Sequence, residues 1–153
     1  MRKLVALKFA ILLLFATVVP FSFGQTFPTV VASVKVTDRT TPITQTALFT
    51  PTTDGLFQIN VYMVTTVPKT NGTKSSWCAS VNWNDDAGNW VFVAAADTPA
   101  YQLSNSNVLA RTNDWPLTFW ARGGTPINYS VQSVNGNALG STYEVFLTLQ
   151  QLM

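Results

Sequence analysis

The chain is 153 residues long, and only 10% of these residues are charged. It contains no histidine and a single cysteine, Cys78. The lack of histidine excludes Ser–His–Asp and Cys–His nucleophile systems and most transition-metal sites, while one cysteine cannot form an intrachain disulfide. We therefore expect a protein that is not an enzyme and needs no cofactor.

The first 24 residues are typical of a cleaved secretory signal peptide. Three basic residues precede an apolar run from Phe9 to Val19, and small residues stand at positions 22 and 24,. A membrane anchor is the alternative, but a spanning helix needs about 20 apolar residues, and Pro20 interrupts this run. We predict cleavage after Gly24, which makes the mature protein secreted, periplasmic or attached to the cell surface, without a membrane span.

Removal of this leader changes the charge of the protein. Arg2, Lys3 and Lys8 leave with it, so six basic and seven acidic residues remain, a net charge of −1 in place of +2. The remaining basic residues are scattered along the chain. Nucleic-acid binding requires clustered Lys and Arg, so it is not expected of the mature domain.

Short runs of alternating apolar and polar residues follow the leader, separated by Gly, Pro, Asn and Asp. This pattern predicts antiparallel strands and no helix. Residues 25–44 are expected to form an N-terminal arm and edge strand, and residues 45–153 a β-sandwich domain. The predicted strands are Val30–Val36, Thr46–Phe49, Phe57–Met63, Trp77–Trp83, Trp90–Ala95, Asn107–Arg111, Leu117–Ala121, Ile127–Val131 and Tyr143–Leu149.

The predicted fold class is all-β: an antiparallel, jelly-roll-like sandwich of about eight to ten strands, preceded by the signal-peptide helix. Strand alternation assigns one face of each strand to the core. Trp77 and Trp83 share the apolar face of their strand and are expected to be buried,. Trp120 lies on the opposite face of its strand from Phe119 and is expected to point outward.

An outward tryptophan indicates either a ligand platform or a subunit interface. The candidate ligand-binding residues are therefore Trp120, Arg122, Trp115, Trp90 and Asn89. Aromatic rings stack on sugars, and neighbouring Asn and Asp side chains bind hydroxyl groups. A small carbohydrate-binding protein, with a glycan or another surface ligand as its partner, is thus the alternative to an assembly module.

Acidic residues offer two weaker hypotheses. Asp85, Asp86 and Asn89 supply hard oxygen ligands for calcium, but their spacing lacks the alternation of a calcium loop, so an ordinary hairpin loop is favoured. A hydrolase based on a carboxylate pair is the other. A structural role is favoured for each of its candidates, the first four of which lie in or beside turns: Asp85, Asp86, Asp97, Asp114 and Glu144.

Three further features leave alternatives open. Cys78 is either buried as a small hydrophobic residue or available for an intermolecular disulfide. The segments Asn71–Thr73 and Asn128–Ser130 match the glycosylation acceptor pattern,. Their use depends on a host that has that pathway.

Two segments resemble the trimeric jelly-roll modules of complement globular heads, tumour-necrosis-factor-like domains and some phage fibre tips. Residues Leu48–Phe57 resemble their Thr-x-Pro-x-x-Gly entry into a central strand, and Tyr143–Leu149 resemble their aromatic closing strand. The resemblance implies a sandwich that forms homotrimers and binds at an exposed end. We expect an exported, non-catalytic binding or assembly module that is homo-oligomeric.

Overall fold

The protein is described by a computed structural model, which covers residues 27–67, 76–96, 111–113, 116–134 and 140–153. Within these residues the chain forms nine strands. They are β1 (Thr29–Arg39), β2 (Ile43–Phe49), β3 (Gly55–Val67), β4 (Ser76–Asp85), β5 (Gly88–Ala96), β6 (Arg111–Asn113), β7 (Leu117–Ala121), β8 (Ile127–Val134) and β9 (Thr142–Gln151). The predicted strand Asn107–Arg111 lies outside the described residues except for Arg111, where β6 begins.

The strands form two antiparallel sheets. In the five-stranded sheet, β9 lies between β1 and β3, and both β6 and β7 pair with the far side of β3. The four-stranded sheet has the order β2-β8-β4-β5. Pro116, which has no amide hydrogen to donate, lies just before β7,. This strand order is that of a jelly roll with two Greek keys, and it confirms the predicted all-β sandwich. The predicted signal peptide, residues 1–24, lies outside the described residues.

The core lies between the two sheets and follows the alternation of the strands. Every second residue of β3, from Gly55 to Thr65, is buried, and β9 shows the same alternation from Tyr143 to Leu149. The rings of Trp83 on β4 and Phe119 on β7 are tilted by 35° with their centroids 4.4 Å apart, and this contact connects the two sheets. Each large apolar side chain that is fully buried contributes about 1.5–3 kcal/mol to folding. Trp77 and Trp83, only 0% and 9% exposed, confirm the predicted core face of β4.

Cys78 is also buried, although it lies on the other face of β4 from Trp77. Its directly opposite neighbours are Gln132 on β8 and Ala96 on β5. Of the two alternatives for this residue, the structure supports burial.

One end of the sandwich is held together by its connections. The carboxylate of Asp54 accepts a 2.8 Å hydrogen bond from the amide of Gly123, and the amide of Gly124 donates to the Pro51 carbonyl at 2.7 Å. The amide of Arg122 donates to the carbonyl of Asn84 at 2.8 Å. The β2–β3 and β7–β8 connections and the end of β4 therefore form one junction.

The described residues contain no helix of the length and apolarity needed to cross a membrane.

Candidate functional site

The outer face of the five-stranded sheet carries an aromatic pair at its centre. Phe146 on β9 lies directly opposite Tyr62 on β3, and their ring centroids are 5.8 Å apart with a 49° tilt. On the other side of Phe146, β1 places Lys35 opposite it, with the ammonium 5.6 Å from the ring centroid. This distance is within the range of a cation–π interaction. One row of side chains thus runs across three strands.

A second apolar pair extends this surface toward the junction of loops. Trp120 on β7 is opposite Leu56 on β3, and Trp120 is 40% exposed. The outward orientation predicted for Trp120 is confirmed. Beside this pair, the amide of Gln58 donates to the hydroxyl of Thr118 at 3.4 Å. We call the outer surface of Leu56, Tyr62, Phe146 and Trp120 the aromatic face.

Sequence reasoning missed most of the aromatic face. Tyr62 and Phe146 occupy the even positions of strands whose odd positions fill the core. Strand alternation placed Tyr62 outward, but nothing local to either strand indicates that β3 and β9 are neighbours. The two aromatic residues lie 84 positions apart in the chain, and only their pairing across the sheet brings them together.

The β4–β5 hairpin contains the candidate calcium ligands, and its oxygen atoms are used within the turn. The carboxylate of Asp85 accepts hydrogen bonds from the amides of Ala87 (2.7 Å) and Gly88 (3.1 Å). The side-chain amide of Asn89 donates to the side-chain carbonyl of Asn84 at 3.0 Å. Among the described residues, no group of three or more acidic, cysteine or histidine side chains is placed to hold a metal ion.

Trp90, at the start of β5, is oriented by this turn. Its indole N–H donates to the Asp85 carboxylate, and this bond is the main cause that lowers the pKa of Asp85 below its ordinary value. The amides of Ala87 and Gly88 lower the pKa further. A hydrogen bond to the charged carboxylate favours the ionised form of Asp85. The bonded Trp90 side chain nevertheless remains 49% exposed.

The exposed part of β5 continues beyond Trp90. Val91 and Val93 are 65% and 40% exposed, and β4 is the only described strand that pairs with β5. The stretch Gly88–Val93 contains no charged residue and no proline. We call this stretch the β5 edge.

The predicted ligand-binding residues are divided between two surfaces. Trp120 and Arg122 lie at the end of β7 in the five-stranded sheet, whereas Trp90 and Asn89 lie on β5 in the four-stranded sheet. Among the described residues, no ring contact or hydrogen bond joins the side chains of Trp90 and Trp120. Trp115 lies outside the described residues. The structure therefore does not gather these residues into a single platform.

The candidate acid pair is also dispersed in the part of the chain that the structure describes. Glu144 lies on the outer side of β9, opposite Val64, while Asp85 and Asp86 are in the hairpin of the other sheet. Asp97 and Asp114 lie outside the described residues. No described hydrogen bond connects two carboxylates.

A further surface lies where β1 begins and β9 ends. An open groove of about 250 Å³ is lined there by Phe27, Thr29, Val31, Gln151, Leu152 and Met153. Phe27 and Met153 are 79% and 65% exposed. The groove contains no charged side chain among these lining residues.

The strand order assigns this protein to the jelly-roll class of β-sandwiches. No protein-family model matches the chain, and no curated protein matches it. Among solved structures, it is similar to the VP2 subviral particle of infectious bursal disease virus, with 12% identity and a TM-score of 0.29 over 84% of this chain and 43% of the other. It is also similar to the T=1 particles derived from that virus, with 11% identity and a TM-score of 0.30 over 84% and 41%.

This chain therefore spans less than half the length of the viral chains that it matches. Those chains are viral particle proteins and not the complement, tumour-necrosis-factor-like or phage families that the two sequence segments resemble. The resemblance of this chain to the complement, tumour-necrosis-factor-like and phage families stays a prediction.

Proposed function

We propose that this protein is an exported, non-catalytic module that forms a homo-oligomer, a trimer by its resemblance to complement-head-like domains, through the aromatic face. The observation that carries the proposal is the outward pair of Tyr62 and Phe146 at the centre of the five-stranded sheet. Aromatic residues are enriched in protein interfaces and charged residues are depleted from interface cores. A sheet whose outer side carries aromatic rings at its centre is suited to packing against another protein surface.

The distribution of charge on this face favours a copy of the same chain. Lys35 and Glu144 place one charge of each sign beside Phe146, on the same outward side of β1 and β9. Since Lys35 contacts the Phe146 ring, its ammonium is held near the centre of the face. Identical faces can then meet without an excess of like charge. Symmetric homo-oligomers require a surface that is complementary to itself or to a neighbouring part of the same chain.

The test is the mass of the mature protein in solution, measured by light scattering during size-exclusion chromatography. We expect a multiple of the protomer mass, and we expect Phe146→Lys to reduce it by burying an unpaired charge at the interface. Gln132→Lys is the matched control, because Gln132 is an exposed outward residue on β8 of the other sheet. The proposal fails if the wild-type protein is a monomer at micromolar concentration, or if Phe146→Lys keeps the wild-type mass as Gln132→Lys does.

A carbohydrate-binding protein is the second candidate function, and the observation that favours it is the exposed ring of Trp90. The indole is held by the Asp85 carboxylate, while the hydrogen-bonded amide groups of Asn84 and Asn89 lie opposite each other on the other face of the hairpin. A fixed aromatic ring can stack on a sugar, and the carboxylate beside it can bind a hydroxyl group. Quenching of tryptophan fluorescence by a panel of glycans, present in the native protein and lost in Trp90→Leu, would support this candidate over assembly.

A further inference from the structure

The described strands leave four sheet edges, and three of them carry features that oppose pairing with another strand. On β1, Lys35 and Arg39 supply charge, the pairing with β9 has two register shifts, and Asp38 has a positive φ of 54°. The pairing of β2 with β8 also has two register shifts. The β6–β7 edge is interrupted before β7, where Pro116 lies. Charges, bulges, prolines and short strands are the means by which proteins protect open sheet edges.

The β5 edge has none of these features from Asn89 to Val93; only Gly88, in the hairpin turn, has a positive φ of 139°. Its pairing with β4 is regular over this stretch, from Asp85 opposite Gly88 to Val81 opposite Phe92, and the register shift comes only near Val93. The stretch is uncharged, and Trp90, Val91 and Val93 are among the most exposed large apolar residues of the described chain. A strand at the edge of a sheet presents unpaired backbone N–H and C=O groups on its open side. Among the described residues, no strand pairs with this open side, so the edge combines backbone groups available for pairing with exposed apolar side chains.

We propose that the β5 edge pairs antiparallel with the β5 edge of a second copy of this chain, about a two-fold axis that passes beside Val91. An uncharged strand meets its own copy without like-charge repulsion. In this register the two Val91 side chains lie opposite each other on the outer face. Trp90 of each copy then lies opposite Phe92 of the other, because directly opposite residues of an antiparallel pair point to the same side of the sheet.

The placement of the hairpin charges favours antiparallel pairing of the β5 edge with that of a second copy. Asp85 and Asp86 lie at one end of β5, so antiparallel pairing puts the acidic hairpins of the two copies at opposite ends of the new ladder. A parallel arrangement would bring the carboxylates of both copies to the same end. The two four-stranded sheets become one eight-stranded sheet, and a strand at each end of that sheet, β2, is protected by its bulges.

This contact uses the four-stranded sheet and is separate from the aromatic face, so it goes beyond the proposed function. If the aromatic face forms a homo-oligomer, the β5 contact joins two such oligomers. If the aromatic face does not assemble, the β5 contact gives a dimer. Phe146→Lys acts on the first surface only, and Val91→Lys acts on the second only, so the failure of either proposal can be recognised.

The experiment is disulfide trapping with Val91→Cys under mild oxidation, read on a non-reducing gel. Two cysteines directly opposite each other in an antiparallel pair lie within the Cα separation of a disulfide, about 4.4–6.8 Å. We expect a covalent dimer as the main product. The wild-type protein, which carries only the buried Cys78, and Ala47→Cys, an exposed position on β2 at the other edge of the same sheet, are the controls.

A second variant tests the same contact without a new thiol. Val91→Lys puts a charge on the β5 edge of each copy, and we expect the solution mass to halve, while Ala47→Lys leaves it unchanged. The circular dichroism spectrum of Val91→Lys establishes that it is folded; if it does not fold, disulfide trapping decides. The proposal is overturned if Val91→Cys cross-links no faster than Ala47→Cys, or if a folded Val91→Lys keeps the wild-type mass.

Discussion

The indole Nε1 of Trp77 donates a 2.9 Å hydrogen bond to the hydroxyl of Ser141, which lies 64 positions further along the chain. Both residues are 0% exposed, so the bond joins β4 of one sheet to the start of β9 in the other inside the core. The Trp77 ring also lies 4.6 Å from that of Tyr143. Trp83, on the same face of β4, differs: its buried Nε1 has no hydrogen-bond partner among the described residues.

Because the two tryptophans differ in this way, replacing each with phenylalanine is predicted to lower the free energy of unfolding by different amounts. Both Trp77→Phe and Trp83→Phe remove the same ring atoms, but the first also breaks a buried hydrogen bond and the second removes an unsatisfied donor. A buried donor without a partner, such as the Trp83 indole N–H, costs about 1–3 kcal/mol, and Trp83→Phe removes that cost. We expect Trp77→Phe to lower the free energy of unfolding by about 1–2 kcal/mol more than Trp83→Phe. Urea unfolding at one protein concentration measures both; equal losses would contradict the prediction.

Gly123 is predicted to be intolerant of a side chain. A Cβ at this position would lie 2.7 Å from the Cα of Thr53 and 3.0 Å from the amide nitrogen of Asp54. The backbone of the β2–β3 connection must then move, which also strains the bond from the Gly123 amide to the Asp54 carboxylate. We expect Gly123→Ala to destabilise the protein by about 1–3 kcal/mol, measured as a lower midpoint of thermal unfolding.

Gly124 provides the control for this prediction. Its φ is +74°, and a Cβ there would meet no atom within 4 Å. Asparagine tolerates a positive φ better than other residues with a side chain, so Gly124→Asn should cost much less than Gly123→Ala. If the two variants unfold at the same temperature, the close approach of Thr53 does not limit position 123.

Tyr143 predicts a loss of stability at alkaline pH. Its hydroxyl donates to the Thr41 carbonyl at 2.9 Å, and burial raises the pKa of Tyr143 to about 12 from its ordinary 10.0, partly opposed by the charge of Arg39. The unfolded chain therefore loses this proton at lower pH than the folded chain does. The stability that depends on the neutral phenol is complete below pH 10 and falls as the pH rises toward 12.

Urea unfolding between pH 9 and pH 12 measures this effect. Tyr143→Phe should be less stable at neutral pH, since it lacks the bond to Thr41, but its stability should decline less between pH 10 and pH 12. The difference in tyrosinate absorbance between the wild-type protein and Tyr143→Phe gives the titration of Tyr143. If the stability of the wild-type protein falls no more steeply over this range than that of Tyr143→Phe, ionisation of Tyr143 is not the cause of the loss.

The hydrogen bond from Trp90 to Asp85 predicts a pKa change that nuclear magnetic resonance can measure. Because this bond is the first cause of the lowered pKa of Asp85, Trp90→Phe should raise that pKa toward its ordinary value of 3.8. Trp120→Phe, on the other sheet, should leave it unchanged. In the native protein the stability linked to the ionised Asp85 is present above pH 3.8 and is lost as the pH falls through the lowered pKa.

Much of this structure could be predicted from the sequence, because the side-chain alternation of a strand is a local property. A period of two follows from backbone geometry, so the apolar residues at Phe57, Ile59, Val61 and Met63 define a buried face without knowledge of any neighbour. The same reasoning correctly predicted that Trp77 and Trp83 are buried and that Trp120 points outward. Turn residues also located the β4–β5 hairpin, although the strands extend to Asp85 and Gly88, closer to the turn than predicted.

Only the tertiary structure decided which strands are neighbours. Strand pairing depends on contacts between residues far apart in the chain, and many pairings satisfy the same local pattern. The partnership of β3 with β9 created the aromatic pair of Tyr62 and Phe146, and the placement of β5 at the end of its sheet left Val91 exposed. The sequence determined which face of each strand is apolar; the order of the strands decided which outward residues form a surface and which edge stays open.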